Sequence, residues 1–293
     1  MKIGMNLPVM VGGLDRDVIL EWSRRIDAGP FSSLAAGERI TFPNPEVMVT
    51  LSAAAAVTER VRIVFSVLVL PMHNPVRIAK QIATLDVLSQ GRVSLGLGVG
   101  GREEDYAAVG AEYDKGLWRR LGEHVELMRR AWRGENVVQG TLRSVEPLPI
   151  QPGGPELLAG SMYPRSIRRA AGWADGISGF SFGPEASEIA NQFELTRSAW
   201  KKEGRETPPR LVTSFWFALG PRARDQLDAY LHRYLEFMGE GAARKLAPTV
   251  TTTSPRALQD ATRMVADLGC DELILVPTTA DPDELDRVAD ALG

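Results

Sequence analysis

Residues able to do chemistry sit in this 293-residue chain just after short apolar runs. Glu38-Arg39 follows Ser32–Gly37. A carboxylate beside a guanidinium either clamps a polar substrate or forms a surface ion pair. Ser66-Val67 lies inside IVFSVLVLP, where a hydroxyl can hydrogen-bond a planar ligand or satisfy local backbone. Gly96 to Gly101 (GLGVGG) lets backbone approach a ligand closely, and Glu104 follows it. Gly160-Ser161 precedes Tyr163-Pro164. That small-residue turn either presents amides and a hydroxyl to a phosphate or caps its own helix.

Other chemistries find less support. No GxSxG elbow and no GxxxxGK[ST] loop occurs. The three histidines, His73, His124 and His232, are far apart, so no metal site is expected. Only His73 falls near a strand end. The single cysteine, Cys270, excludes an internal disulfide and a multi-thiolate zinc site. A net charge of -3 gives no case for nucleic acid or an anionic membrane. The longest apolar run, about Val61 to Pro71, contains Arg62 and is too short to span a bilayer. The N-terminus has no secretory pattern, and a cytoplasmic protein is expected.

The elements that must position these residues alternate between strand and helix. Strands are expected at Lys2–Leu7, Ser32–Ala36, Arg62–Ser66, Val93–Gly98, Glu156–Gly160, Asp175–Ser178, Leu211–Phe217 and Glu272–Val276. Most are continuous apolar runs, as in parallel strands covered on both faces. Helices are expected at about 15–28, 45–58, 75–89, 116–133, 164–172, 185–203, 222–238, 255–268 and 282–292. Asn74-Pro75 starts the third, Ile78, Ile82, Leu85 and Leu88 form its apolar face, and Gly91 ends it. Eight βα units in one domain, residues 1–293, point to an α/β fold, a (β/α)8 TIM barrel. Two stretches exceed the minimal unit. Residues 101–155 follow strand 4 and hold a loop, a long helix from about Gly116 and a hairpin around Val137–Val145. Residues 239–254 follow strand 7. The glycine run lacks the immediate helix and the acidic residue on the next strand that a dinucleotide fingerprint needs, so that reading is rejected.

Three stretches carry a family resemblance. They are PVRIAKQIATLDVLSQGRVSLGLGVGG, LGEHVELMRRAWRGE and LLAGSMYPRSIRRAAGWADGI. From about Ile3 to Ser181 the chain resembles the luciferase-like monooxygenase superfamily, and most closely its branch using the deazaflavin coenzyme F420. The resemblance implies an oxidoreductase with its cofactor across the carboxyl mouth of the barrel. It implies a non-proline cis peptide at Ser66-Val67, glycines Gly98 to Gly101 along the cofactor, and phosphate at Gly160-Ser161. The cofactor-binding candidates are Asn6, Ser66, Val67, Gly98, Gly100, Gly101, Gly160 and Ser161. The catalytic candidates are Glu38, Arg39 and Glu104. Many relatives carry an acidic-His pair where this chain has Glu38-Arg39, which separates it from the sugar-phosphate dehydrogenases of the branch.

The expectation is hydride transfer between coenzyme F420 and a small organic substrate. The alternative is FMN with oxygen, in a monooxygenase served by a separate reductase, and a third reading is a flavin-binding barrel without catalysis. A homodimer is implied by the resemblance alone.

Overall fold

The computed structural model describes residues 1–293, with every side chain except those of 240 and 242. Eight parallel strands close into one barrel in sequence order. They are β1 (Lys2–Asn6), β2 (Ser33–Ala36), β3 (Arg62–Val69), β4 (Val93–Gly98), β5 (Glu156–Gly160), β6 (Gly176–Ser178), β7 (Arg210–Phe217) and β8 (Glu272–Pro277). The outer helices are α1 (Arg16–Ala28), α2 (Val47–Ala56), α3 (Pro75–Leu88), α4 (Glu103–Ala108), α5 (Leu117–Trp132), α6 (Pro164–Ala170), α7 (Ala186–Lys202), α8 (Ala223–Tyr234), α9 (Glu240–Leu246), α10 (Pro255–Asp267) and α11 (Asp283–Leu292). The expected TIM barrel is therefore the fold, and the extra segments follow β4 and β7. Among the described residues, no helix is long and apolar enough to cross a membrane.

Side chains alternate between the inside and outside of a strand, so every second residue enters the barrel. Ala35, Val64, Leu158, Val212 and Ile274 meet there as a buried cluster. Two residues earlier in the same strands lie Ser33, Arg62, Glu156, Arg210 and Glu272. These form a polar plug. Arg210 pairs with both Glu156 and Glu272, and Ser32 and Ser33 donate to Glu272 at 2.6 and 2.7 Å. Arg62 donates to Ser94, which donates to Glu156. Two residues later lie Gly37, Ser66, Gly160, Ser214 and Val276, a rim of mostly small groups at the carboxyl end. One period of two thus yields a charged bottom, an apolar middle and a small, open top.

Strand β3 carries an irregularity at that rim. Phe65 pairs with Leu95, but Leu68 pairs with Leu97, so β3 holds one extra residue. The extra residue lies at Ser66-Val67, whose peptide is cis, as the resemblance implied.

Several local expectations need correction. The expected hairpin at Val137–Val145 is absent, and the segment is a series of turns. Asn136 explains this: its side chain accepts from the Val138 N–H and Thr141 hydroxyl and donates to the Thr141 carbonyl. Those backbone groups are then unavailable to a ladder. Leu88 does not share the buried face of α3; it is 71% exposed. Ten residues after Ile78 it falls roughly 80° off the buried stripe, and Ser89 returns to it. The loop expected from 101 to 116 contains α4. Three acidic residues in its first turn are the helix-start signal, obscured because no side chain caps it. A helix does therefore open soon after the glycine run. The dinucleotide reading still fails, because a closed barrel has no open-sheet switch point.

The plug generates a stability prediction. Glu272 is almost wholly buried, with 2% of its side chain exposed, and Arg210 neutralises it. Arg210→Met should cost about 3 kcal/mol in urea unfolding, since it strands a buried carboxylate. Adding Glu272→Gln should recover part of that loss.

Candidate functional site

A cavity of about 270 Å3 opens at the carboxyl rim. Its walls come from five strand ends: Ser66-Val67 of β3, Gly98 to Gly100 after β4, Gly160 to Tyr163 after β5, Ser178 to Phe180 after β6, and Ser214 of β7. Trp118 of α5 and Ser166 of α6 complete it. No carboxylate, lysine, arginine or histidine is among these walls. The polar atoms facing it are mostly serine hydroxyls.

Val67 is the part that gives this cavity its shape. Its side chain leans over the next two strands. A Cβ added at Gly98 would lie 3.0 Å from Val67 Cγ2, and one at Gly160 would lie 2.7 Å from Val67 Cγ1. At Gly96 it would lie 2.4 Å from the Phe65 carbonyl oxygen. Glycine is needed at these positions because the β3 irregularity fills the volume of a side chain. Gly100 takes φ +63°, a left-handed conformation that glycine adopts without strain. Tyr106 of α4 donates to the Val99 carbonyl at 2.6 Å and holds that loop down.

Glu38 fixes β3 from the other side. Its backbone N–H donates to the Val67 carbonyl at 3.1 Å, and its carboxylate accepts from the Val69 N–H at 2.7 Å. The other carboxylate oxygen lies 2.8 Å from His73 Nε2. Both oxygens are thus engaged, and Glu38 does not line the cavity. Arg39 turns away as well. Only 4% of its side chain is exposed, and Nε donates to Asp105 at 3.0 Å. Its NH2 reaches the largely exposed Glu104 at 3.3 Å. Burial, and then the nearby Arg102 charge, lower the pKa of this guanidinium, while Asp105 opposes them. Arg39 and Glu104 border a separate cavity of about 220 Å3, with Phe42, Arg233 and Tyr234.

The structure therefore brings Ser66, Val67, Gly98, Gly100, Gly160 and Ser161 into one wall. Asn6 and Gly101 lie off it, though Asn6 Oδ1 is buried without a partner. Sequence reasoning reached Tyr163 and the β6 end with Ser178 and Phe180 only as strand-end segments, not as binding residues, and it left out Ser214 and Trp118. Ser178 and Ser214 were findable by counting in twos along their strands. Trp118 was not, because it arrives from a helix far along the surface of the barrel. Aromatic packing extends the wall beyond the cavity. Phe180 meets Trp216 at 4.6 Å between centroids, and Trp216 meets Tyr234 of α8 at 5.5 Å. The segment after β7 is thereby seated against the mouth.

Asp105 sets a pH dependence. Burial raises its pKa, but hydrogen bonds from Thr41 and the Arg39 charge outweigh this and hold it below the usual carboxylate value of 3.8. A depressed folded pKa means the stabilisation is complete above the unfolded value and is lost as pH falls through the folded one. Asp105→Asn should cost about 2–4 kcal/mol at neutral pH by stranding Arg39. The gap should narrow below about pH 4, measured by urea unfolding at a series of pH values.

Comparison with known proteins bears on the whole chain. The luciferase-like monooxygenase family model matches residues 1–285. A Mycobacterium tuberculosis protein of uncharacterised function is 30% identical over 212 residues, 63% of this chain and 73% of that relative. Among solved structures, monooxygenase RslO1 from Streptomyces bottropensis covers 100% of this chain and 98% of its own, with TM-score 0.81 and 22% identity. An F420-dependent secondary alcohol dehydrogenase, solved with an F420-acetone adduct, has TM-score 0.81 and 15% identity over 100% and 98% of the chains. The oxygenating constituent of 3,6-diketocamphane monooxygenase from Pseudomonas putida, solved with FMN, has TM-score 0.74 and 16% identity over 100% and 98%. At these identities the structural likeness shows the fold alone. The family match, spanning nearly the whole chain, shows more: this chain belongs to the luciferase-like monooxygenase family.

Proposed function

We propose that this protein is a coenzyme F420-dependent oxidoreductase acting on a small organic substrate at the rim cavity. The observation that carries the reading is the uncharged, glycine-cradled wall around Val67. A planar ring can lie against Val67 because its methyl groups pack into the volume that side chains at Gly98 and Gly160 would take, so the wall there is one smooth face. The Ser214 Oγ is buried without a partner, and a polar group on the ligand would satisfy it. These features fit a flavin-like ring.

When bound, the deazaflavin supplies a hydride and reacts poorly with oxygen. The chain's own residues do the rest. Val67 and the glycines fix the plane of the ring. Ser161 donates to Ser166 at 2.5 Å and Ser166 to the Tyr163 carbonyl at 2.8 Å, so a phosphate there would be met by Ser161 turning its hydroxyl toward it. Phe180 walls the apolar side. Ser66, Ser178 and Ser214 can hydrogen-bond an acceptor oxygen as charge develops on it. Glu38 acts as a positioning residue through Val69 and His73, and Arg39 through Asp105. Neither reaches the cavity, so acid-base work by a carboxylate there is not part of this reading. The SVLVLP run at the end of β3, through its resemblance to the deazaflavin branch, also supports the deazaflavin.

A second reading, an FMN-dependent monooxygenase, is favoured by the aromatic wall of Phe180, Phe182 and Trp216. Of these only Phe180 lines the cavity, and an apolar flank of this kind suits oxygen chemistry on reduced flavin. Titration followed by visible spectra separates the two. Coenzyme F420 should bind at micromolar levels and FMN more weakly. Binding of FMN alone, with oxygen uptake on adding reduced FMN, would overturn the first reading. Ser214→Ala should leave the cofactor-free protein as stable or more stable, within about 1 kcal/mol, because it removes an unsatisfied buried hydroxyl. It should weaken coenzyme binding severalfold in the same titration.

A further inference from the structure

A third hollow is a groove of about 370 Å3 between α5 and α6. Trp118 and Trp173 are its apolar walls, and Lys115, Arg119 and Arg169 its cations. Glu123 is its one carboxylate, and it is taken by Arg119 at 2.6 Å. Lys115 and Arg169 have no ion pair among the described residues. Nor do Arg165 and Arg168, which α6 exposes alongside. A chain of net charge -3 thus gathers unpaired positive charge at one place. Nothing in the barrel's stability calls for it.

Two further observations tie this groove to a ligand. Trp118 lines both the groove and the rim cavity, and α6 contributes Ser166 to the cavity and Arg169 to the groove. The two hollows therefore share one indole as a wall, and Ser161 and Ser166 belong to the cavity that Trp118 borders. The second is Gly122. It sits inside α5, where glycine is a poor helix former, and a Cβ there would meet nothing within 4 Å. No packing requires glycine at this position. Its effect is to keep the groove floor low.

We propose that this groove holds the anionic oligoglutamyl tail of coenzyme F420, an inference that rests on the deazaflavin reading above. FMN ends at its phosphate and would stop at the rim cavity. The deazaflavin continues past its phosphate into a lactyl group and a run of glutamates. A phosphate at Ser161 and Ser166 places that continuation at Trp118, from which the carboxylates reach Lys115 and Arg169. The groove then selects between the two cofactors by what lies beyond the phosphate.

The test is fluorescence titration with three probes: F420 bearing several glutamates, its tail-less phospholactyl form, and FMN. The tailed form should bind roughly tenfold tighter than the tail-less form at low salt, the sum of a few exposed ion pairs. That advantage should largely vanish near 1 M salt, where charges are screened within about 3 Å. Lys115→Glu with Arg169→Glu should remove the advantage and leave tail-less binding unchanged. Gly122→Leu should do the same while unfolding at an equal or higher temperature, which separates blockage of the groove from misfolding. Equal affinity for tailed and tail-less forms, with both binding well, would overturn the tail site but keep the deazaflavin reading. Binding of FMN with neither deazaflavin form would overturn both.

Discussion

One extra residue in β3 organises the mouth of this barrel. The register shift between Phe65 and Leu68 turns Val67 across the neighbouring strands, and three consequences follow. Gly96, Gly98 and Gly160 must lack side chains, because Val67 and the Phe65 carbonyl take their space. The segment after β2 must hold the displaced strand, which Glu38 does through the Val67 carbonyl, the Val69 N–H and His73. The rim keeps an open, uncharged face. A wall shaped this way presents backbone and methyl groups rather than charge. It does not resemble a cluster of acids and bases.

The ionisable residues around the rim are spent on architecture. Arg39 and Asp105 form a nearly buried pair that ties the loop after β2 to α4, with Thr41 and the Ile40 N–H completing the carboxylate's partners. Through Tyr106 and Val99 that same helix holds the strand-four glycine loop. The β2 loop, α4 and the glycine run are therefore one mechanical unit. Disturbing Arg39 would move the cavity wall without any contact between Arg39 and the ligand. At the opposite end of the barrel the charge is just as strictly housed, in the Arg210, Glu156 and Glu272 plug. Charge lies above and below, and the middle tier and the cavity stay neutral.

Legibility in the sequence tracked the range of the interaction. The eight strands were readable because burial on both faces demands continuous apolar runs. The start of α3 was readable because its cap and proline are adjacent in the chain. Val67, Gly98 and Gly160 were nameable as members of a site through resemblance. Their mutual contact was not, since it depends on the register of three strands. The hairpin at 137–145 misled because β-branched residues outweighed one asparagine. Glu38 and Arg39 looked catalytic because a strand end and a charged pair are what a catalytic site also displays. Only the placement of their partners, Val69, His73 and Asp105, showed both side chains engaged away from the rim cavity.

The sequence by itself determined the alternating architecture, the closed barrel and the strand ends at which a ligand site belongs. These follow from local periodicity, which each segment carries in its own residues. Tertiary structure alone decided which of those strand ends meet, which polar groups remain free, and that Trp118 stands between a neutral cavity and a basic groove. Such facts depend on residues far apart in the chain, brought together by register and helix packing, and no segment encodes them alone.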